Sequence, residues 1–311
     1  MRIFILKIVV FCTLLASAYL LMVHKLSEGY VDMYYPKFTQ KAGSLVIGLS
    51  RADEGIDPET ILNNLPEKSD QSLVNFASNQ NYYGKVYMDA IKEKLDDSAE
   101  NRFFILSISP GSFTAPKGFG TKGIEAMDTK TPIGKTFDFT SNPNYSYIMN
   151  CYGSGLYNAF LDVDSADNLT SHDNGWNEIS LKSNTFTITK DLMFDWKRQN
   201  LAYFERRLPK EEVKTYRLEW FGKTIEYLKN KGTVFLVRMP ADEEIVSFEN
   251  EHLPTFNAMV DSVAKVYKVP YLDYSESRPG FGTYDGSHLY SETAKEFSTI
   301  LAKDMSPFLN N

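Results

Sequence analysis

A serine hydroxyl is a poor nucleophile at neutral pH unless a neighbouring base takes its proton. One stretch of this sequence prepares such a base. In "TYDGSHLYSETA", Asp285 stands three residues before His288, on a glycine-containing turn that enters a predicted helix. At that spacing the carboxylate can fold back to accept the Nδ1 proton of the imidazole. The other ring nitrogen is then free as a base, and the imidazolium that forms is stabilised. The serine to use it is Ser50, in "SLVIGLSRADEGIDP", where a run of β-branched and aliphatic residues ends in Gly48-Leu49-Ser50. Each piece also has a plain structural use, Asp285 as a helix cap and Ser50 as a turn residue. Their joint placement favours chemistry.

Other candidates are weaker. His24 closes the N-terminal apolar run, His252 opens a predicted helix, and His172 sits in the polar loop "TSHDNGW", where it could touch a ligand. No two histidines have metal-ligand spacing on a helix, so no metal is expected. Two cysteines, Cys12 inside the apolar run and Cys151, make neither a thiolate cluster nor an intramolecular disulfide expected. A phosphate loop of the G-x-x-x-x-G-K-[ST] type is absent, and no cofactor is called for. With a net charge of −7 and no Lys/Arg-rich block, nucleic acid is set aside as a partner.

The elements that must position these residues read as alternating strands and helices. Continuous apolar runs at 44–49, 72–78, 102–109, 233–240 and 269–275 are expected of parallel strands covered on both faces. Between them, helices are predicted from Asp57-Pro58-Glu59 onward and over 82–97, 191–208, 209–232, 251–268 and 291–305. The pattern predicts a three-layer α/β fold, a doubly wound five-stranded parallel sheet with right-handed crossovers. In such sheets ligands gather at the carboxyl ends of the strands. Ser50 follows the first strand and Asp285/His288 follow the last, so the two places share a rim. Residues 110–190 lack a long periodic segment and are rich in Gly, Asn, Thr, Ser and aromatics. They are read as an insertion over the site holding a short hairpin.

The N-terminus, "MRIFILKIVVFCTLLASAYLLMVHK", places Arg2 and Lys7 ahead of an acid-free apolar stretch from Ile8 to Val23. Residues 1–25 are read as a membrane anchor, or as a cleaved signal if Ala16-Ser17-Ala18 is a processing site. A stalk over 26–43 and the main domain over 44–311 follow. The positive flank stays inside, so the domain is expected on the outer, periplasmic side of the cytoplasmic membrane, or secreted after cleavage.

"VIGLSRADEGIDP" and "YDGSHL" resemble the first and last blocks of the SGNH/GDSL hydrolase superfamily. Membrane-anchored bacterial envelope relatives are the most alike, such as the alginate O-acetylation proteins and the teichoic-acid D-alanylation protein. The resemblance implies a flavodoxin-like fold with Ser50 as nucleophile, His288 as base and Asp285 as its orienting acid. It departs from the family where G-D-S becomes Gly48-Leu49-Ser50 and where the G-x-N-D block is unrecognisable. In "NFASNQNYYG", Asn79 or Gly84 is the nearest substitute for the missing oxyanion donors. Arg238 interrupts the apolar run "TVFLVRMP" and needs a partner, either a substrate anion or an acidic side chain. Trp176 leads the insertion's aromatics (Phe113, Phe119, Tyr145, Tyr147, Tyr152, Tyr157) as a candidate sugar-stacking platform. The expected function is an extracytoplasmic serine esterase or O-acyltransferase on an acylated envelope polysaccharide or a small ester. The alternative is a catalytically silent glycan-binding or assembly protein. The sequence leaves oligomeric state open.

Overall fold

The apolar runs become five parallel strands: β1 (Ser44–Ile47), β2 (Leu73–Asn75), β3 (Arg102–Ile108), β4 (Gly232–Arg238) and β5 (Tyr271–Asp273). The computed structural model describes residues 1–65, 72–161, 166–275 and 280–309. The strands order as β2-β1-β3-β4-β5, the flavodoxin-like doubly wound arrangement. Pairing is parallel throughout, with β3 and β4 matched from Arg102–Gly232 to Ile108–Arg238.

Why the strands read as unbroken apolar runs is visible in their packing. Successive side chains point to opposite faces, and both faces are covered. Leu45, Ile47, Phe104 and Leu106 enter one core with α4 (Lys85–Lys94), α9 (Thr215–Lys229) and α11 (Phe256–Tyr267). Val46, Phe103, Ile105 and Phe235 enter the other with α2 (Ser50–Gly55), α3 (Pro58–Asn64) and α12 (Ser291–Leu309). The expected three layers are present.

Local chemistry moved three boundaries. The expected helix over 209–232 begins only at Thr215, because Glu211–Val213 pairs in antiparallel fashion with Thr114–Pro116. The expected helix over 251–268 is two helices, α10 (Glu243–His252) and α11. Leu253 precedes Pro254 and is held out of the helical region by the proline ring. Ser50, which could have been a turn residue, instead opens α2, and the helix takes in all of "SRADEG".

The long segment after β3 holds α5 (Thr121–Asp128), α6 (Pro132–Lys135), α7 (Tyr145–Cys151) and a hairpin pairing Leu169–Ser171 with Asn177–Ile179. Residues 162–165 of that segment lie outside the description. Instead of roofing the strand tips, α5 and α6 pack on α4 and α7 packs on the N-terminal helix α1 (Arg2–Ser27). The helix that reaches the rim is the next one, α8 (Lys190–Arg207). The 26–43 stretch is built into the core, with Val31, Tyr35, Phe38 and Ala42 buried beside Val23 and Leu26 of α1.

Candidate active site

Ser50 owes its position to the two residues before it and the helix it begins. Gly48 has φ +153°, and a Cβ there would stand 2.8 Å from that of Ser107 on β3. Only glycine allows this approach. Leu49 is extended, and Ser50 opens α2. The Ser50 N–H, at a helix start, has no intrahelical acceptor.

α2 is braced from below and from the side. The fully buried Asn75 amide on β2 donates to the carbonyls of Ala52 (2.8 Å) and Ile56 (2.9 Å), and its oxygen accepts from Ala77 N–H (3.1 Å). Asp53 Oδ1 accepts from Lys37 Nζ (2.7 Å) and from Asn177 Nδ2 (2.9 Å) of the hairpin. Arg51 grips Glu249 of α10 with both terminal nitrogens, at 2.7 and 3.4 Å. A six-residue helix would not persist alone; these contacts hold it.

His288 sits on a turn that Asp285 shapes. Asp285 Oδ1 accepts from the N–H groups of Ser287 and His288, both at 2.9 Å. Gly286 supplies the left-handed residue this turn needs (φ +85°). Asp285 does not cap α12, which starts six residues later. Its Oδ2 accepts from His288 Nδ1 at 2.7 Å and from the Asn200 amide of α8 at 3.0 Å. The far nitrogen, His288 Nε2, lies 2.8 Å from Ser50 Oγ across 238 positions of sequence. With the ring proton on the Asp285 side, Nε2 accepts from the hydroxyl.

The charge around the ring is strongly negative. Burial pushes the His288 pKa down, but the carboxylates of Glu54 and Asp285 outweigh it and bring it up to about 9. Burial pushes the Glu54 carboxyl up to about 7. Glu54 Oε2 accepts from Tyr284 Oη at 2.7 Å, and the Tyr284 ring stacks beside the imidazole. Burial also works to raise Asp285, yet His288 and the turn N–H groups hold it below the usual carboxylate range.

These groups open into a cleft of about 380 Å³. Ser50, His288 and Ser107 line it together with Asn79, Tyr82 and Ser109–Ser112. Asn200, Tyr203, Phe204 and Arg207 of α8 complete the lining. Arg207 is tied to Glu211 Oε1 (2.6 Å) and Tyr82 Oη (3.0 Å), so its charge is answered within the wall.

Of the residues singled out in the sequence, Ser50, His288, Asp285 and Asn79 meet at this rim. Three others do not. Gly84 precedes α4, where a Cβ would strike Asp128 Oδ2 and Arg217 Nη1 of a buried ion pair at 2.7 and 2.8 Å. Its role is close packing. Arg238 is fully buried and is met by Asn257, by Asn250 (3.0 Å) and by Glu249 (3.5 Å). Of the two partners expected for it the acidic side chain is present, and Arg238 is not among the residues lining the cleft. Trp176 is 2% exposed, donates from Nε1 to Glu54 O (2.8 Å), and stacks on His172. It wedges the hairpin under α2 and has no face for a sugar. Phe113 and Tyr147 are likewise core residues.

Asn75, Glu54, Asn200 and the Arg51–Glu249 pair escaped the sequence reading. An asparagine inside an apolar strand was a usable signal for Asn75. Nothing local distinguishes Asn200 from the other polar residues of α8.

No family model matches the sequence. No curated protein matches it either. Among solved structures, a candidate acylhydrolase from Bacteroides fragilis is 11% identical with a TM-score of 0.36, over 88% of this chain and 92% of that one. A candidate platelet activating factor from Streptococcus pneumonia is 11% identical with a TM-score of 0.39, over 97% and 99%. Superpositions this loose say nothing of chemistry, which is left to the geometry of Ser50, His288 and Asp285.

Proposed function

We propose that the chain is an extracytoplasmic serine esterase or O-acyltransferase. The reading is carried by one observation, the continuous line Ser50 Oγ to His288 Nε2 (2.8 Å) and His288 Nδ1 to Asp285 Oδ2 (2.7 Å) at the mouth of a cleft. Ser50 Oγ attacks an ester carbonyl while its proton passes to Nε2. The oxyanion is met by the Ser50 N–H and by Asn79, each donor worth roughly 3 kcal/mol in the transition state. As the tetrahedral species collapses, the imidazolium returns the proton to the leaving alcohol and an acyl-Ser50 remains. Water, or a sugar hydroxyl, then attacks the acyl carbon while its proton passes to Nε2; as the acyl–Oγ bond breaks, the imidazolium returns that proton to Ser50 Oγ. An acylated envelope glycan is the substrate suggested by the sequence resemblance together with the apolar helix α1.

A fluorophosphonate probe tests this. Full-length protein is expected to label covalently and Ser50→Ala to lose the label. Folded wild-type protein that never labels would point to the silent glycan-binding reading. Hydrolase and transferase separate by acyl-donor turnover with and without a glycan acceptor: a transferase acylates the glycan faster than it releases free acid.

A further inference from the structure

α1 enters the domain only by its last turns. Val23 and Leu26 are buried in the core, whereas residues 2–21 are exposed throughout and contain no Asp or Glu. Twenty residues at 1.5 Å each make a rod of about 30 Å, the thickness of a bilayer's hydrocarbon. Where that rod leaves the domain, two other elements turn apolar side chains outward.

α7 packs on α1, and Tyr145, its first residue, shares a 2.8 Å hydrogen bond with His24 Nδ1. Tyr145 and Met149, one turn apart, are 41% and 45% exposed. The 3₁₀ turn Leu156–Phe160 also packs on α1. It sends Leu156 and Ala159 inward and leaves Tyr157 and Phe160 exposed at 67% and 70%, with Leu161 following at 56%. Side chains this large are not left in water as a group without cost. With α1 as the span, its apolar stretch Ile8–Val23 is lengthened by Ile3–Leu6, with Lys7 snorkelling. Tyr145, bonded to His24, then stands at headgroup level, where tyrosine gains most from its apolar ring and polar tip. His24 and Lys25 mark the same level as the end of the apolar run.

We propose that the globular domain rests on the bilayer surface through Tyr145, Met149, Tyr157, Phe160 and Leu161, a lipid contact separate from the span. This rests on reading α1 as the span. Both elements pack on α1, so insertion of that helix brings them toward lipid without further movement. The contact restricts how the domain can tilt about its anchor.

The test uses the full-length chain in phosphatidylcholine/phosphatidylglycerol vesicles, with Cys12→Ser and Cys151→Ser as background. A fluorophore is placed singly by Leu14→Cys, Tyr157→Cys, Phe160→Cys and Val266→Cys. Val266 is exposed on α11, which packs on β5, an edge strand of the sheet, and not on α1 in the way α7 and the 156–160 turn do. Lipids carry nitroxide quenchers either near the headgroup or mid-chain. The expected result is mid-chain quenching at 14, at least twofold stronger headgroup-level quenching at 157 and 160 than at 266, and unchanged thermal melting. Quenching at 14 with 157 and 160 no stronger than 266 overturns the surface contact and leaves the span standing. No quenching at 14 overturns the span and this proposal together. Disulfide cross-linking between copies at 157, in place of lipid quenching, makes a second copy the occupant and overturns it as well.

Discussion

Two helices that line the cleft are held in opposite ways. α2 is six residues long, and Ala52, Asp53, Glu54 and Gly55 are all buried. Asn75, Lys37, Asn177 and Glu249 fix it on three sides. α8 is eighteen residues long and buries none of them. It is tied down by polar contacts: Asn200 to Asp285, Lys197 to Asp242 and Glu244, and Arg207 to Glu211. A nucleophile must stand within tenths of an ångström of its base, and buried, redundant contacts achieve that. A covering helix must admit substrate, and surface pairs worth under about 1 kcal/mol each are easily exchanged. Under the proposed chemistry, the contrast gives precision to the α2 side of the cleft and access to the α8 side.

The largest expected effect tests the precise wall directly. Ser50→Ala should lower ester turnover by at least roughly three orders of magnitude with little change in melting temperature. Retained turnover would mean that the rigid helix does not carry the nucleophile. Next, Asn75→Ala removes an amide from two buried carbonyls and should cost about 2–4 kcal/mol in denaturant unfolding. A cost below ~1 kcal/mol would show that α2 is held some other way.

On α8, Asn200→Ala removes one of the two donors to Asp285 Oδ2, leaving His288 Nδ1, without opening the core. The expected result is about a tenfold loss in kcat with KM and melting nearly unchanged. An equal loss of stability would place α8 in the core after all.

The fourth test is of charge. His288 must be neutral to act as base, and its pKa is held up to about 9, so kcat/KM should rise with pH until about 9. Removing the Glu54 charge by Glu54→Gln takes away one of the two carboxylates that raise it. The midpoint should move toward lower pH, as a pH–rate profile of wild type and variant would show. Movement the other way would contradict the assigned cause. Smallest of all, Lys197→Ala should change stability by less than about 0.5 kcal/mol, since its partners are largely at the surface.

How much of this was legible beforehand varies with the range of the interaction. Ser50, Asp285 and His288 were readable because each follows a strong local signal: an apolar run ending at a serine, and D-x-x-H on a glycine turn. Asn79 was reachable from its place after the second strand. Trp176 was misread because a tryptophan after Asn174-Gly175 reads the same whether its loop faces solvent or folds under a helix. Arg238 needed a partner from sequence alone, but Glu249, eleven residues on, was one of many acids in the chain; only the placement of Glu249 and Asn250 of α10 beside the end of β4 selected it.

By itself, then, the sequence determined the alternation of strands and helices, the apolar rod at the N-terminus, and the pairing of a serine with a carboxylate-oriented histidine. Hydrophobic periodicity and turn chemistry act over a few residues and are written locally. What only the tertiary structure decided is who braces whom: Asn75 under α2, Glu54 beside His288, and Asn200 reaching Asp285 from a helix that buries nothing. Those contacts join residues tens to hundreds of positions apart, and their energies depend on burial that no local stretch of chain can specify.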